Sequence, residues 1–155
     1  MSVVVGVISD THGLLRAEAV AALGGSRYIV HGGDVGDENI LRTLEAIAPV
    51  TAVRGNTDTE AWARRLPPTA VLDVDGVRIY VVHDIAELDI DPRAAGVGVV
   101  VFGHSHRPGI EPRGDVLYLN PGSAGPRRFD LPVSVARLVI DGGAAQAEIV
   151  EITPS

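Results

Sequence analysis

Residues 3–12 have the sequence VVVGVISDTH, an apolar run that ends in a carboxylate and an imidazole. The run does not alternate between apolar and polar residues, which is typical of a strand buried on both faces of a parallel sheet. Helical spacing follows, and Gly24-Gly25 end it as glycine does at helix C-termini. The apolar stripe of this predicted helix consists of Leu14, Leu15, Ala19, Ala22 and Leu23.

This unit of strand and helix recurs along the first third of the chain. Strands are predicted at 28–31 and 50–53, an amphipathic helix ends before Pro49, and a short helix is predicted at 60–66. Strands that alternate with helices in this way predict parallel βαβ units.

The pattern changes beyond residue 69, where short strands follow one another across turns. Asp75-Gly76 is a strong two-residue hairpin signal between strands at 70–74 and 77–82. Weak helical character is predicted at 85–95. The strand at 116–119 is expected to pair with one before the turn at 113–115, and the other predicted strands are 97–102, 133–140 and 145–152. The order predicts an α/β fold of two packed mixed β-sheets flanked by α-helices, an αββα sandwich, in a single domain over 1–155.

Composition limits the chemistry that the chain can perform. The 155 residues are 46% hydrophobic and 21% charged, which suits one globular domain with a proper core. Cysteine and lysine are absent, so disulfides, thiolate ligands, Schiff bases and a P-loop lysine are excluded. No apolar run approaches the ~18 residues of a membrane helix and no signal-peptide pattern opens the chain, so we expect a cytoplasmic protein without a membrane partner. The net charge of -7 argues against broad nucleic-acid binding.

Five predicted strands each end in side chains that can bind a metal ion. These residues are Asp10 and His12, Asp34, Asn56, His83, and His104 with His106. Open α/β sheets bind ligands outside the carboxyl ends of their strands, so these ends should converge in one crevice. We therefore predict a metal site that contains four of the five histidines.

Each of these motifs also allows a structural interpretation when taken alone. Asp10-Thr11-His12 points two ligands to one side of an extended chain, but a bare D-x-H is more often an ordinary loop. His83, at the end of an apolar strand, would alone be interpreted as a core histidine. Gly103-His104-Ser105-His106 is the most specific local signal, because two imidazoles at i and i+2 can reach two ions ~3.5–4 Å apart.

Further polar residues have a structural interpretation or two open ones. We interpret Asp37 and Asp58 as N-caps of the helices that follow them, and His31 as a core residue or a partner of a metal ligand. Residues Asn120 to Ser123 form a predicted turn, in which an amide or the Ser123 hydroxyl could contact an anion. Arg127 is as consistent with a surface contact, or with a subunit contact in a homo-oligomer, as with phosphate binding.

Taken in order, the motifs resemble the calcineurin-like metallophosphoesterase superfamily, and more narrowly its small single-domain prokaryotic phosphodiesterase branch, the YfcE type. They are D-x-H at 10–12, GD at 33–34, GN-x-D at 55–58, His83, GH-x-H at 103–106 and NPGS at 120–123. The resemblance covers nearly the whole chain and implies the metallo-dependent phosphatase fold. The ordered set is far more specific than any one of its motifs.

The resemblance also implies two divalent metal ions per chain. One would be held by Asp10, His12, Asp34 and His106, and the other by Asp34 as a bridge with Asn56, His83 and His104. The four residues of the second set are also the predicted catalytic residues. The implied activity is hydrolysis of a P–O ester in a small phosphodiester by a hydroxide that bridges the ions. Nitrogen and oxygen ligands without sulfur suit manganese, which we favour, and also iron, zinc, cobalt or nickel.

Two residues depart from the pattern of the superfamily. Thr57 stands where many relatives have a histidine that protonates the leaving group or contacts the phosphate, so the identity of the leaving-group acid is open. Asp84 follows His83 where glycine is usual. Its carboxylate can ligate a metal, repel an anion or cap the segment that begins at Ile85.

Two other functions are left open by the sequence. One is a non-catalytic scaffold, similar to the retromer subunit that has this fold with degraded metal chemistry, although all seven ligands are intact here. The other is a specialised nucleotide phosphodiesterase or nuclease. The acidic charge disfavours a duplex nuclease but not an enzyme that acts on small nucleotides.

Overall fold

The computed structural model, which describes residues 2–152, contains two five-stranded mixed sheets. Their strands are β1 (Val3–Ile8), β2 (Tyr28–His31), β3 (Val50–Ala52), β4 (Thr69–Val74), β5 (Val77–Val82), β6 (Val97–Val101), β7 (Gly109–Arg113), β8 (Val116–Asn120), β9 (Val133–Asp141) and β10 (Ala144–Ile152). The first sheet has the order β10-β9-β1-β2-β3, and the second has the order β4-β5-β6-β8-β7. The predicted α/β fold of two mixed sheets is confirmed.

Parallel pairing brings the predicted ligand-bearing strand ends to one edge of each sheet. In the first sheet β1 pairs in parallel with β2, and β2 with β3. In the second sheet β5 pairs in parallel with β6, and β6 with β8. The remaining strands, β9, β10, β4 and β7, are added by antiparallel pairing. Because parallel strands share a direction, the loops that follow them lie on the same edge of the sheet.

Branched aliphatic side chains fill the space between the two sheets. Val5 and Val7 of β1 belong to the same buried cluster as Ile79 and Val81 of β5 and Val99 of β6, and all five are fully buried. Burial of each such side chain stabilises the fold by about 1.5–3 kcal/mol relative to exposure. The strands are thus fixed by packing on this face, and the loops beyond them are free to carry polar residues.

Both α-helices lie on the outer face of the first sheet. They are α1 (Ala17–Ala22) and α2 (Glu38–Glu45), and their buried residues pack in one cluster with residues of β1, β2 and β9. Asp37 accepts a hydrogen bond from the Asn39 N–H and caps α2, as predicted. Helix α1 is shorter than predicted, because Leu14 and Leu15 lie outside it. The Leu14 N–H instead bonds to the Thr11 carbonyl in a turn of the preceding loop.

An irregular segment, and not an α-helix, covers the outer face of the second sheet. The weak helix predicted at 85–95 is wrong, and only a 3-10 turn forms, at Ile85–Glu87. Pro92 lacks an N–H and disfavours helical dihedrals at the residue before it, which prevents a continuous helix here. Ile85, Leu88, Ile90 and Phe102 pack on a buried cluster that contains Tyr80 and Tyr118. The helix predicted at 60–66 is likewise a 3-10 helix, at Ala61–Arg65.

The predicted turns are confirmed. Asp75 and Gly76 have φ angles of 44° and 84°, the left-handed values that a two-residue hairpin of type I′ requires. β7 pairs antiparallel with β8 across the turn at 113–115, and the last hairpin joins β9 and β10. No helix within residues 2–152 has the length and apolar character that crossing a bilayer requires.

Candidate metal centre

The structure brings the seven predicted ligands together at the loops that follow the parallel strands. Asp10 and His12 follow β1, Asp34 follows β2, Asn56 follows β3, His83 follows β5, and His104 and His106 follow β6. Two groups of these residues have potential ligand atoms within 4.8 Å of one another. One is Asp10, His12 and His106, and the other is Asp10, Asp34 and His83.

The first group faces inward with two imidazole nitrogens and one carboxylate oxygen. His12 Nε2 lies 3.3 Å from His106 Nε2. Asp10 Oδ1 lies 3.3 Å from His106 Nε2 and 3.6 Å from His12 Nε2. His106 and Asp10 are buried, whereas His12 is half-buried, so this group lies at the inner end of the crevice.

The second group contains the other carboxylate and extends to the two remaining ligands. Asp34 Oδ2 lies 3.2 Å from His83 Nε2 and 3.6 Å from His12 Nε2, so it contacts residues of both groups. Asn56 Oδ1 lies 3.0 Å from His83 Nε2 and 3.2 Å from His104 Nδ1. Asn56 and His104 are exposed, which places this side of the site at the surface.

The donor atoms suit a hard or borderline divalent cation. Asp10 Oδ1 is buried and has no hydrogen-bond partner within residues 2–152. Burial of such an atom without a partner is costly, which is consistent with a site built for a cation. His83 Nδ1 lies 2.7 Å from the Gly32 carbonyl, so Nδ1–H donates to that oxygen and Nε2 is left as the ligand atom. Imidazole and carboxylate donors without sulfur suit the divalent first-row metals.

The backbone at these ligands is held in an uncommon conformation. Five of the seven have positive φ angles between 47° and 69°, namely Asp10, His12, Asp34, His104 and His106. Positive φ in a residue other than glycine costs on the order of 1–3 kcal/mol and is concentrated at functional sites. The packed strands before each loop supply the stability that offsets this strain.

Short hydrogen bonds fix the carboxylates. Asp10 Oδ2 accepts from Ser9 Oγ at 2.6 Å and from the His104 N–H at 3.1 Å. Asp34 Oδ1 accepts from the Thr57 N–H at 2.9 Å. In each case one oxygen is held and the other faces the imidazoles. Ser9 was not identified from the sequence, because a serine before an aspartate carries no signal that distinguishes it from an ordinary loop residue.

The two carboxylates and His83 have shifted pKa values. Burial would raise the pKa of Asp10, but the imidazoles of His106 and His12 beside it and the hydrogen bond from Ser9 hold that pKa well below its usual range. Burial also acts to raise the pKa of Asp34, yet the contacts with His83 and the Thr57 N–H lower it to about 2. For His83, burial lowers the pKa, but the carboxylates of Asp34 and Asp10 raise it to about 9. The site therefore keeps two negative carboxylates that require positive charge beside them.

His31 is buried beside the site and does not face the crevice. Thr11 Oγ1 donates to the Val35 carbonyl, so it accepts from His31 Nε2–H at 3.0 Å. His31 Nδ1 accepts from the Gly33 N–H at 3.1 Å. Burial lowers the pKa of His31 to about 4, which keeps the ring neutral. The neutral ring thus ties together the two loops that carry Asp10 and Asp34.

Asp58 has a different role from the one predicted. The sequence predicts an N-cap, but the following 3-10 helix starts only after Glu60 and has no side-chain cap. The buried Asp58 carboxylate instead accepts hydrogen bonds from the N–H groups of Gly55, Val35 and Gly36. It therefore joins the loop after β3 to the loop after β2, and it holds Asn56 near Asp34.

The turn after β8 supports the site from behind and does not present its polar groups to an anion. The buried Asn120 amide donates to the Gly103 carbonyl and to Ser105 Oγ. Buried Ser123 donates its hydroxyl hydrogen to the Asp10 carbonyl at 2.9 Å. These hydrogen bonds favour the structural interpretation of the turn, in which the Asn120 amide and the Ser123 hydroxyl hold the ligand loops.

Three residues whose roles the sequence leaves open are at least partly exposed to solvent. Thr57 is exposed and reaches Asp34 through its backbone N–H. Asp84 Oδ1 accepts from the Ala86 N–H, the predicted cap, while Asp84 Oδ2 lies 3.7 Å from His104 Nε2. Arg127 is exposed and makes no hydrogen bond or ion pair with other described residues.

Position 103 requires glycine because its backbone lies close to the side chains of Ser9 and Asp10. A Cβ added there would overlap Ser9 Oγ and Asp10 Oδ2. We expect Gly103→Ala to lower the free energy of unfolding by about 1–3 kcal/mol, the usual cost of overpacking, and to reduce metal content by displacing Asp10. Chemical denaturation and elemental analysis measure the two effects.

The matched control is Gly109→Ala in β7, where an added Cβ meets no described atom within 4 Å. That variant should unfold within about 0.5 kcal/mol of the wild-type protein and keep its metal content. Equal metal content and equal stability in Gly103→Ala would show that the approach of this backbone to Asp10 is not needed.

Comparison with known proteins agrees with this arrangement. Residues 3–143 match the family profile described as the calcineurin-like phosphoesterase superfamily domain, and the chain belongs to this superfamily. Members of the superfamily use divalent metal ions, in keeping with the two Asp/His groups of the crevice.

Individual relatives cover most of the chain. It is 35% identical over 159 residues to a probable metallophosphoesterase of Methanothermobacter thermautotrophicus, covering 94% of this chain and 91% of the relative. It is 31% identical over 154 residues to phosphodiesterase YfcE of Escherichia coli, covering 84% of each chain.

Solved structures share the fold. A predicted phosphoesterase from Streptococcus pneumoniae superposes with a TM-score of 0.79 at 26% identity, covering 99% of this chain and 94% of that one. Vacuolar protein sorting 29 from Cryptosporidium parvum superposes with a TM-score of 0.78 at 19% identity, covering 98% of both chains. The second likeness concerns the fold alone.

Proposed function

We propose that the protein is a phosphodiesterase that uses two divalent metal ions, with manganese favoured, to hydrolyse a small phosphodiester in the cytoplasm. The observation that carries the proposal is that seven side chains able to bind a metal ion, from the ends of five strands, lie at one crevice. The names of the relatives, metallophosphoesterase and phosphodiesterase, point to the same chemistry.

In this proposal Asp10, His12, Asp34 and His106 would hold one ion, and Asp34, Asn56, His83 and His104 would hold the other. When bound, two such ions supply Lewis acidity that activates water and neutralises charge on the phosphoryl oxygens. The chain's own contribution is to fix the ligands in advance. Ser9, the Thr57 N–H and the Gly32 carbonyl hold Asp10, Asp34 and His83 in their orientations before any substrate arrives.

The specificity for a diester is supported by the surroundings of the crevice. A diester carries one negative charge, whereas a monoester near neutral pH is largely a dianion because its second pKa is ≈ 6. Asp84 places a further carboxylate beside His104. Like charge should penalise the dianionic monoester more than the diester.

A non-catalytic scaffold is the second candidate, because a vacuolar sorting protein shares the fold. The ligands argue against it. A scaffold does not need seven intact candidate ligands. It also does not need the strained, positive φ angles that five of these residues have.

The test begins with the metal content of purified protein and its hydrolysis of bis(4-nitrophenyl) phosphate. We expect about two divalent ions per chain, and activity that a chelator abolishes and that added Mn²⁺ restores. Absence of both bound metal and hydrolysis would favour the scaffold. Activity that survives complete removal of metal would contradict the proposal directly.

The role of Asp84 has its own test. We expect Asp84→Asn, which keeps the Oδ1 acceptor for the Ala86 N–H, to shift the ratio of kcat/KM for diester over monoester toward the monoester by about threefold to tenfold. Bis(4-nitrophenyl) phosphate and 4-nitrophenyl phosphate are compared at equal metal occupancy. Asp89→Asn, an exposed carboxylate in the same segment, is the control. An unchanged ratio would leave Asp84 only as a cap.

A further inference from the structure

A cavity of about 200 Å³ opens beside the outer half of the metal centre. It shares Asn56 and His83 with the proposed ligand set, so a group bound there adjoins the reacting phosphate. Its other lining includes Arg54, Pro68, Asp84 and Glu87. We name it the side cavity. Its position suits one of the two alcohols of a phosphodiester.

Two of the three charged side chains of the side cavity, Arg54 and Glu87, are not used by the fold. Arg54 and Glu87 make no side-chain hydrogen bond or ion pair with any other residue in the described range 2–152. Asp84 uses Oδ1 as a cap, and its Oδ2 lies near His104 Nε2. A guanidinium fork and a carboxylate therefore share one small cavity with their hydrogen-bonding capacity free.

This mixture of groups matches hydroxyl groups better than it matches other substituents. A second phosphate would meet two carboxylates and only one arginine. A nucleobase would find no Phe, Tyr or Trp ring to stack on in the lining, and the imidazole of His83 belongs to the proposed ligand set. A hydroxyl can accept a hydrogen bond from Arg54 and donate one to Glu87.

The volume also limits the group that fits. At ~30 Å³ for each water, the side cavity corresponds to about six or seven water molecules. It is below the ~300 Å³ at which pockets for larger ligands begin. An alcohol of about three to six carbons is therefore of suitable size.

We propose that the side cavity is a subsite for a small polyol, so that the substrate is a phosphodiester of a polyhydroxylated alcohol, recognised by Arg54 and Glu87. This inference rests on the proposed phosphodiesterase function and names its substrate class. Arg54 and Glu87 act as specificity residues through the alcohol, and they do not contact the reacting phosphorus.

Binding is measured on the metal-loaded protein with two phosphodiesters of similar size. The probe is bis(2,3-dihydroxypropyl) phosphate, and the reference is dipropyl phosphate, which lacks the hydroxyls. Dissociation constants are obtained by isothermal titration calorimetry, and inhibition constants are obtained against bis(4-nitrophenyl) phosphate. We expect the polyol diester to bind about tenfold more tightly or better, since two hydroxyl contacts are gained.

Variants of Arg54 and Glu87 then test whether these two residues cause the preference for the polyol diester. In Arg54→Gln and in Glu87→Gln the preference for the polyol diester should fall to about threefold or less. Arg27→Gln, an exposed arginine that precedes β2 at the opposite end of that strand, should retain the wild-type preference. Equal binding of the two diesters by the wild type, or a tenfold preference that persists in both variants, would overturn the proposal.

Failure of the subsite and failure of the proposed phosphodiesterase function give different results in these measurements. Hydrolysis of bis(4-nitrophenyl) phosphate with no preference for the polyol diester would retain the phosphodiesterase and reject the subsite. Calorimetric preference that depends on Arg54 and Glu87, without hydrolysis of any diester, would support the subsite as a polyol phosphate site and reject the proposed catalysis.

Discussion

Replacing Asp34 by asparagine is expected to lower kcat/KM toward an aryl phosphodiester by about 10³-fold or more, even in excess Mn²⁺. Asp34 Oδ2 is close to both His83 Nε2 and His12 Nε2, so its charge serves both halves of the site. Asparagine has nearly the same size but no charge. Metal ions supply several kcal/mol of transition-state stabilisation, and each 1.36 kcal/mol is tenfold in rate. Steady-state kinetics and elemental analysis of the same sample measure both consequences.

Asp37→Asn is the matched control for this experiment. Asp37 lies three residues further on, is exposed, and caps α2 by accepting from the Asn39 N–H at 2.9 Å. Asparagine is an equally good N-cap, so the free energy of unfolding should be unchanged and kcat/KM should remain within about twofold of wild type. Wild-type turnover together with two bound metal ions in Asp34→Asn would show that the ligand assignment is wrong.

The fold was predictable because its strands are encoded by local patterns. The apolar runs of β1, β5 and β6 match buried strands, and Asp75-Gly76 forms the turn that its sequence predicts. The covering of the second sheet was not predictable in the same way. The segment after Asp84 packs only a few apolar side chains, and this packing outweighs a weak helical propensity that Pro92 already limits.

The placement of the predicted metal ligands at one crevice followed from their positions at strand ends. The supporting contacts did not, because they depend on tertiary proximity. Asp58 illustrates this difference. Its neighbours in sequence indicate a helix cap, but its three donors come from loops after two different strands. A local pattern cannot identify a residue that acts by joining distant segments.

The rate of hydrolysis is expected to depend steeply on the pKa of the leaving alcohol. Thr57 is exposed at the rim and donates its backbone N–H to Asp34 Oδ1. A threonine hydroxyl is far too weak an acid to protonate a departing alkoxide. General acid catalysis contributes ~10²–10⁴-fold, so alkyl diesters should lose about this factor relative to an enzyme that has such an acid. A Brønsted series of aryl and alkyl diesters measures the slope.

Thr57→His tests the cause of that slope. An imidazole at position 57 should increase kcat/KM for alkyl diesters by about 10²-fold, the lower end of general acid catalysis, and leave 4-nitrophenyl diesters nearly unchanged. Thr59→His is the control, because Thr59 is also exposed and lies two residues further from the ligands along the chain. A flat dependence on leaving-group pKa in the wild-type enzyme would contradict the prediction and would mean that another group already protonates the alcohol. Equal gains in both variants would assign the increase to added charge near the crevice and not to a proton donor at position 57.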